Sequence, residues 1–305
     1  MTRSFVSHVF RFAPSPNGYL HLGHAFSALM NREMAAATGG SLLLRMEDID
    51  VERCRPEFEQ AIYEDLAWLG LEWEEPVRRQ SEHFDAYAEA VASLAERALV
   101  YPCFCSRADV ANTAAERTDW PRDPDGSPLY PGTCKHLAPA ERRARLAAGE
   151  PAAWRLDMAA ALGQVRQPLA QPITQPITWR EYGGGAERRE IVGDPSLWGD
   201  VILARKDVPA SYHVAVVVDD ALQGITDVVR GEDLFMATSL HRLLQILLDL
   251  PAPAYHHHEL LRDAAGRKLS KSLRAKSLRA MRREGISAAA IKEQLGIARR
   301  VFAFA

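Results

Sequence analysis

The chain lacks any long uninterrupted hydrophobic run, so its sequence predicts no membrane-spanning helix. Its most apolar stretch, HRLLQILLDL, carries charged residues within it. The first residues also lack the continuous apolar core of a secretory signal peptide, because His8 and Arg11 interrupt it. We therefore expect no membrane association and a cytoplasmic location. We also expect a monomer.

The chain also has little net charge, since its 37 basic and 40 acidic residues nearly cancel. A balance of −3 argues against a general nucleic-acid-binding protein. The distribution is uneven, however, because the segment from Arg262 to the C-terminus holds 12 basic and three acidic residues. A basic segment on an acidic body indicates contact with a polyanion at one end, although a solvated helical face would give the same pattern.

Strand-like and helix-like segments alternate up to residue 105, which predicts an α/β fold with a parallel, Rossmann-type sheet. Residues 106–190 have little regular patterning and indicate a looser insertion. Regular patterning returns at DVILARKD, and a helix is expected around ATSLHRLLQILLDL. Strands are expected at 5–12, 41–46 and 99–105, and helices at 23–38, 56–71 and 81–98. The predicted units are 1–102 and 191–255 as two halves of the catalytic domain, 103–190 as the insertion, and 256–305 as a basic helical C-terminal segment.

The stretch RFAPSPNGYLHLGH, residues 11–24, lies at a predicted strand-to-helix turn. Such turns face the nucleotide-binding crevice of α/β folds. Gly18 and Gly23 would let the backbone approach phosphate oxygens closely. His21 and His24 would lie at the helix N-terminus, where they could donate hydrogen bonds to a phosphate in a transition state. A helix-capping histidine explains the same pattern equally well.

A second motif, GRKLSKS, occupies residues 266–272. Lys268 and Lys271 flank Ser270 on a segment that begins with glycine. Two long cationic side chains on a flexible loop are suited to closing over a triphosphate. An ordinary basic loop is the alternative for this motif taken alone.

Together, HLGH and KLSKS resemble the two signature motifs of class I aminoacyl-tRNA synthetases. The segments RFAPSPNG, RMEDID, YHVAVVVDD and GITDVVRGEDL resemble the glutamyl and glutaminyl branch of that family, over about residues 8 to 275. The resemblance implies a Rossmann-type parallel sheet with a zinc-bearing insertion and a short helical C-terminal segment. It also implies ATP as a substrate together with Mg²⁺, with a catalytic group of His21, His24, Lys268 and Lys271. The implied ATP-binding residues are His21, Gly23, His24, Lys268, Leu269, Ser270 and Lys271.

The same resemblance implies a binding pocket for L-glutamate. Glu47 matches the carboxylate that pairs with the substrate ammonium, and Arg230 matches the guanidinium that binds the side-chain carboxylate. Two arginines and one carboxylate would complement the charges of glutamate, whereas glutamine would lose the charge-assisted pairing. Without the motif, an ion pair at a sheet edge would be the better interpretation of Arg230. The implied pocket consists of Arg11, Ala13, Ser15, Glu47, Tyr212 and Arg230.

Three of the four cysteines, Cys103, Cys105 and Cys134, are clustered in the sequence. In a cytoplasmic protein this clustering favours metal ligands over disulfides, although purely structural thiols remain an alternative. Zinc requires a fourth ligand, and the spacing by itself favours His136 over Tyr130 or an aspartate. The resembling enzymes use the tyrosine of a Y-x-G-x-C motif, which implies Tyr130 and one structural zinc ion.

The sequence departs from glutamyl-tRNA synthetases in several respects. Those enzymes continue as a helical anticodon-reading region, and we expect no anticodon-binding domain here. Val216 stands where they tend to carry asparagine, and Leu234 replaces a frequent tryptophan. This pattern is similar to the glutamyl-Q tRNA(Asp) synthetase family, which implies queuosine-containing tRNA(Asp) as the partner. The alternatives are an enzyme that charges tRNA(Glu) and a non-catalytic tRNA-binding module.

Overall fold

The computed structural model describes residues 7–165, 176–182, 188–261 and 276–297. Strands and helices alternate through most of this part of the chain. The strands are β1 Val9–Phe12, β2 Ser41–Met46, β3 Glu74–Arg79, β4 Val100–Cys103, β5 Ala153–Leu156, β6 Ile177–Tyr182, β7 Arg188–Gly193, β8 Ile202–Ala204, β9 Asp227–Gly231 and β10 Ala254–His258. The helices are α1 Leu22–Thr38, α2 Pro56–Trp68, α3 Phe84–Glu96, α4 Arg107–Ala115, α5 Pro139–Ala147, α6 Met158–Val165, α7 Tyr212–Leu222, α8 Ala237–Leu247, α9 Leu278–Arg283 and α10 Ala288–Leu295.

The larger sheet has seven strands in the order β3-β2-β1-β9-β10-β6-β7. Its first six strands are parallel, and β7 is antiparallel to β6. On one side of β1 the sheet continues through β2 to β3, and on its other side β1 pairs with β9, which comes much later in the chain. This arrangement creates a crevice at the carboxyl ends of β1 and β9, where α/β proteins bind their ligands. The mostly parallel α/β fold predicted from the sequence is confirmed.

Helix α1 illustrates how local sequence sets the elements around this crevice. Its apolar side chains recur on one face and are buried against β1 and β2, with Phe26, Leu29 and Met30 in the core. The helix ends at Gly39, whose φ of 65° lies in the left-handed region that glycine adopts without strain. The predicted helix at 23–38 is therefore confirmed to within one residue.

Residues 106–190 are more regular than expected, which corrects the sequence interpretation. Helices α4, α5 and α6 and strands β5 and β6 lie within this range, and β7 begins in it. Each of these elements has at most nine residues. A stretch of sequence long enough to show helical or strand periodicity therefore extends beyond the ends of the element. Strands β6 and β7 extend the large sheet, whereas β5 pairs with β4 and β8 in a separate antiparallel sheet.

The two largest hydrophobic clusters hold most of the described elements together. One packs α3, α7 and α8 against the small sheet, and the other packs α1 and α2 against the large sheet. The C-terminal helices α9 and α10 join the second core through Leu278, Met281, Ile291 and Leu295. None of the described helices is both long enough and apolar enough to cross a membrane.

Candidate active site

A cavity of about 580 Å³ opens at the carboxyl ends of β1 and β9. Leu261, the last described residue before the GRKLSKS segment, lies on its wall. The predicted Lys268, Leu269, Ser270 and Lys271 lie outside the described residues. The nine other predicted ligand-binding residues all line the cavity: Arg11, Ala13, Ser15, His21, Gly23, His24, Glu47, Tyr212 and Arg230.

His21 and His24 form the N-terminal cap of α1. The His21 Nδ1 atom accepts a hydrogen bond from the Gly23 backbone N–H at 3.1 Å. The His24 Nδ1 atom accepts from the His21 backbone N–H at 3.2 Å. The capping interpretation is thus confirmed, and it is compatible with a ligand role, because a neutral imidazole that accepts at Nδ1 carries its proton on Nε2. A Cβ at position 23 would lie 2.9 Å from the His21 Cε1 atom, so a larger residue there would displace the His21 ring.

A buried charge network lies beneath the Arg11 side of the cavity. The fully buried Arg45 places one guanidinium nitrogen 2.8 Å from Asp220 Oδ1 and 3.6 Å from Glu47 Oε1. Arg11 donates to the same Asp220 oxygen through Nε at 3.1 Å. Burial disfavours the charged form of Asp220, but Arg11 and Arg45 outweigh it and hold the pKa of Asp220 below its usual value. Arg11 therefore lines the cavity with Nε already paired.

The neighbouring Asp219 anchors the network from the other side. Its carboxylate accepts from Arg78 Nε at 2.7 Å, from Gln80 Nε2 at 2.8 Å and from the Tyr87 hydroxyl at 2.8 Å. Neither Asp219 nor Asp220 was identified as a site residue from the sequence. A signal was present, because two adjacent carboxylates at the end of the apolar run VVVDD must find partners when that helix is buried.

Glu47 presents a carboxylate to the cavity at the end of β2. Burial raises the pKa of Glu47, and the nearby Arg45 and Arg11 only partly oppose this effect. Its raised pKa means that the ionised carboxylate is less stable here than in water. A cationic ligand in the cavity would stabilise the ionised form, so the site is suited to an ammonium group.

Arg230 lies on β9, a central strand, and its guanidinium is bound by neutral acceptors. It contacts His257 Nε2 at 3.1 Å, His241 Nδ1 at 3.2 Å, Thr238 Oγ1 at 2.8 Å and the Leu234 carbonyl at 3.2 Å. Among the described residues, no carboxylate lies within 4.0 Å of this guanidinium. The alternative of a sheet-edge ion pair is therefore wrong. A buried cation without an anionic partner is suited to a ligand carboxylate.

The histidines around Arg230 are held in their neutral form. Burial, together with the adjacent Arg230, lowers the pKa of His213 to about 4 and the pKa of His241 well below its ordinary value. Since His241 Nδ1 accepts from Arg230, its proton lies on Nε2, which is 3.2 Å from His213 Nδ1. On the opposite side, His257 Nδ1 lies 2.9 Å from a carboxylate oxygen of Glu181. These supporting residues come from separate parts of the sequence and were not predicted.

Tyr212, the first residue of α7, also lines the cavity. Burial raises the pKa of Tyr212 to about 12, so its phenol stays neutral near neutral pH. Its ring lies 5.6 Å from the His241 ring in an edge-on arrangement. The side chain thus forms an uncharged aromatic wall beside Arg230.

The structure brings the three predicted cysteine ligands together at the end of β4. The sulfur atoms of Cys103, Cys105 and Cys134 lie within 4.8 Å of one another, and none forms a disulfide. The Tyr130 hydroxyl lies 3.3 Å from Cys103 Sγ and 3.5 Å from Cys105 Sγ. His136 is exposed and lies outside the group. Three sulfurs and one oxygen fit the four-coordinate geometry of a zinc ion.

Comparison with known proteins gives a family for this arrangement. Residues 8–300 match the model for the catalytic domain of class I tRNA synthetases (E and Q). A glutamyl-Q tRNA(Asp) synthetase from Rhodobacter capsulatus is 44% identical over 94% of this chain and 99% of its own length. A glutamate–tRNA ligase from Aquifex aeolicus is 37% identical over 90% of this chain, which spans 54% of that ligase.

A solved structure has the same architecture. It is a glutamate tRNA ligase from Elizabethkingia meningosepticum in complex with its amino acid, and it aligns with a TM-score of 0.69 at 28% identity. The alignment covers 87% of this chain and 52% of that ligase, so the chain spans about half its length.

Proposed function

Because the chain belongs to the class I tRNA synthetases of the glutamyl and glutaminyl type, and to their glutamyl-Q tRNA(Asp) synthetase branch, we propose that it attaches L-glutamate to queuosine in tRNA(Asp). The protein is a ligase of the aminoacyl-tRNA synthetase kind.

The observation that carries the proposal is the charge pattern of one cavity. Arg230 is a buried cation whose partners among the described residues are all neutral, and Glu47 is a carboxylate whose pKa is raised by burial. Glutamate brings a side-chain carboxylate for the first and an ammonium group for the second. Arg11, Ala13, Ser15 and Tyr212 complete the proposed glutamate pocket.

In the first step, an oxygen of the glutamate α-carboxylate attacks the α-phosphorus of ATP. A bond forms between that oxygen and phosphorus, and the bond to the bridging oxygen breaks, so that pyrophosphate leaves with the electron pair. Such a reaction depends on positioning and charge stabilisation more than on a general base. His21, His24 and the N-terminus of α1 would stabilise the phosphate charge, and Lys268 and Lys271 are assigned the same role from the sequence.

In the second step, a hydroxyl of the queuosine cyclopentenediol attacks the carbonyl carbon of glutamyl-adenylate. The new ester bond forms as the bond to the adenylate oxygen breaks, and AMP leaves. Bound Mg²⁺ would neutralise part of the phosphate charge in the first step. Zinc held by Cys103, Cys105, Tyr130 and Cys134 would have a structural role.

A second candidate function is charging of the 3′ end of tRNA(Glu). The 37% identity to the Aquifex glutamate–tRNA ligase favours it, because the glutamate chemistry would be the same. The two candidates differ only in the acceptor. The match to the Rhodobacter protein, which extends over 99% of that protein's length, favours queuosine.

Exchange of labelled pyrophosphate into ATP, measured with and without tRNA, tests the glutamate chemistry. We expect exchange with glutamate and little with glutamine or aspartate. Glu47→Gln should lower kcat/KM for glutamate by about 100-fold, because it removes one partner of a buried charge pair worth roughly 3 kcal/mol. The control Glu89→Gln alters an exposed residue of α3 and should leave exchange unchanged. No glutamate-dependent exchange under either condition would refute the proposal.

A further inference from the structure

Behind Arg230 lies a buried carboxylate that the proposed reaction does not use. Glu181 lies on β6, is buried and does not line the candidate active-site cavity. The ring of His257, on β10, separates this carboxylate from the Arg230 guanidinium. Because β10 pairs with β6 on one side and with β9 on the other, the sheet itself sets the order Glu181, His257, Arg230.

We propose that Glu181 is a positioning residue that sets the preference for glutamate over glutamine. It determines which nitrogen of His257 carries the proton, and through that ring it fixes the orientation of Arg230. The inference rests on the proposed function, in which Arg230 binds the side-chain carboxylate of the substrate. Neither Glu181 nor His257 would contact the substrate.

The proton of the His257 ring can be located from its neighbours. Nδ1 lies 2.9 and 3.0 Å from the two carboxylate oxygens of Glu181. Burial favours a raised pKa for Glu181, but the hydrogen bonds from His257 and Trp179 outweigh it and leave that pKa below its usual value. Burial also lowers the pKa of His257, so its neutral ring carries one proton. That proton lies on Nδ1, where an ionised carboxylate accepts it, and Nε2 is left as an acceptor.

The His257 Nε2 atom accepts from Arg230 Nε at 3.1 Å. The other contacts of this guanidinium are made by its Nη atoms, to His241 Nδ1, Thr238 Oγ1 and the Leu234 carbonyl. With one hydrogen bond to each of these four acceptors, one of the five N–H groups of the arginine remains for a ligand. The direction of that N–H group is set by the four contacts together.

The opposite tautomer of His257 would disturb this arrangement. Its Nε2–H group would face the Nε–H group of Arg230, so two donors would lie 3.1 Å apart. The Thr238 hydroxyl, also 3.1 Å from Nε2, could accept the histidine proton, but Arg230 Nε would still lack an acceptor. The guanidinium would then have to turn from its present orientation to satisfy a buried donor.

Packing prevents the His257 ring from exchanging the positions of its two nitrogens. The side chain is 2% exposed, its ring stacks parallel to that of Tyr255 at 5.9 Å, and Phe235 lies edge-on at 5.1 Å. Glu181 is anchored as well, because it accepts from the His257 backbone N–H at 2.8 Å and from Trp179 Nε1 at 3.0 Å. The tautomer therefore depends on the charge of Glu181.

A correctly oriented Arg230 favours a carboxylate over an amide. Both side-chain oxygens of glutamate accept hydrogen bonds, whereas the amide of glutamine offers one acceptor and one donor group. Hydrogen bonds between ionised groups are also roughly twice as strong as those between neutral groups. Misorientation of the guanidinium should therefore weaken the binding of glutamate more than the binding of glutamine.

The test combines kinetics and NMR on the full chain. Glu181→Gln removes the charge at nearly constant size, and its amide N–H can donate to His257 Nδ1 and so reverse the tautomer. Glu190→Gln is the control, because Glu190 is an exposed carboxylate on the adjacent strand β7. Pyrophosphate exchange with glutamate and with glutamine measures the preference. The ¹⁵N shifts of labelled histidine side chains show which nitrogen of His257 is protonated, and loss of a signal in His257→Gln assigns that residue.

We expect kcat/KM for glutamate to fall about tenfold in Glu181→Gln, as the loss of one hydrogen bond to a charged group implies. The fall should come from a higher KM for glutamate. The KM for ATP and the activity with glutamine should stay near their wild-type values, and the His257 proton should move from Nδ1 to Nε2. Glu190→Gln should change none of these quantities.

An unchanged preference in Glu181→Gln would overturn the inference, and so would equal losses with glutamate and glutamine. Loss of the preference with the proton still on Nδ1 would also overturn it, because Glu181 would then not act through the tautomer. A proton on Nε2 of His257 in the wild type would overturn it even if no variant folds. Absence of glutamate-dependent exchange in the wild type would instead refute the proposed function.

Discussion

At the scale of single residues, two buried arginines near the cavity differ in what balances their charge. Arg45 has protein carboxylates around it, with Asp220 2.8 Å away. Arg230 has two imidazole nitrogens, a hydroxyl and a carbonyl, all neutral. Arg45 is therefore part of the scaffold, whereas Arg230 is poised for an anionic ligand.

Arg230→Gln tests this distinction. We expect kcat/KM for glutamate in pyrophosphate exchange to fall by about 100-fold, because the substrate carboxylate loses a buried cationic partner worth roughly 3 kcal/mol. Activity with glutamine should change little, so the preference for glutamate should collapse. The control Arg97→Gln alters an exposed arginine. Undiminished discrimination in Arg230→Gln would assign the carboxylate to another residue.

The sequence motifs identified the residues that line the cavity. They did not identify the residues that hold those side chains in place by hydrogen bonds. Arg11, Glu47 and Arg230 stand in recognisable short segments, so their positions can be read from the sequence. Glu181 and His257 are separated by 76 residues and meet only because β6 and β10 pair in the sheet. No local sequence pattern indicates that contact, so the hydrogen bonds that hold Arg230 in place could not be predicted.

At the scale of secondary structure elements, predictability followed element length and burial. Helix α1 and strand β2 have strong local patterns and were predicted to within one residue. Strand β3 was missed because it is an edge strand with the charged sequence EEPVRR. The short elements of residues 106–190 carry too little periodicity to be detected individually.

The cysteine cluster joins these short elements, because Cys103 ends β4 while Tyr130 and Cys134 lie between α4 and α5. We predict about one zinc ion per chain, as a single four-ligand site holds. Tyr130→Phe should lower zinc content measured by elemental analysis, and His136→Ala should retain it. Full zinc occupancy in Tyr130→Phe together with loss in His136→Ala would identify the histidine as the ligand. Zinc-free protein purified without chelator would exclude the site.

At the scale of the whole molecule, the described structure buries five histidines with lowered pKa values. Burial is the main cause in each case, and it disfavours the protonated form. The unfolded chain therefore binds more protons than the folded protein as the pH falls through the ordinary histidine range. Folding must become less favourable in that range. The five are His213, His241, His256, His257 and His258.

We predict that the free energy of unfolding falls between pH 7 and pH 5. His213, with its pKa lowered to about 4, would alone account for a loss of about 2 kcal/mol. Asp65 acts in the opposite direction, because burial raises its pKa to about 6. Its protonation increases the free energy of unfolding by roughly 1 kcal/mol over the same pH range. Glu47, whose pKa is also raised, adds to that opposing effect, whereas the pKa values of the other four histidines are lowered and act in the same direction as His213. Urea denaturation at the two pH values measures the change, and equal or greater stability at pH 5 would contradict the prediction.

The central claim concerns the acceptor, and identification of the labelled nucleoside tests it most directly. Enzyme, ATP and labelled glutamate are incubated with queuosine-containing tRNA(Asp), with tRNA(Asp) lacking queuosine and with tRNA(Glu), and each RNA is then digested to nucleosides. The account predicts label on queuosine in the first RNA and none in the other two. Label on the 3′-terminal adenosine, or equal labelling of tRNA(Asp) without queuosine, would contradict it.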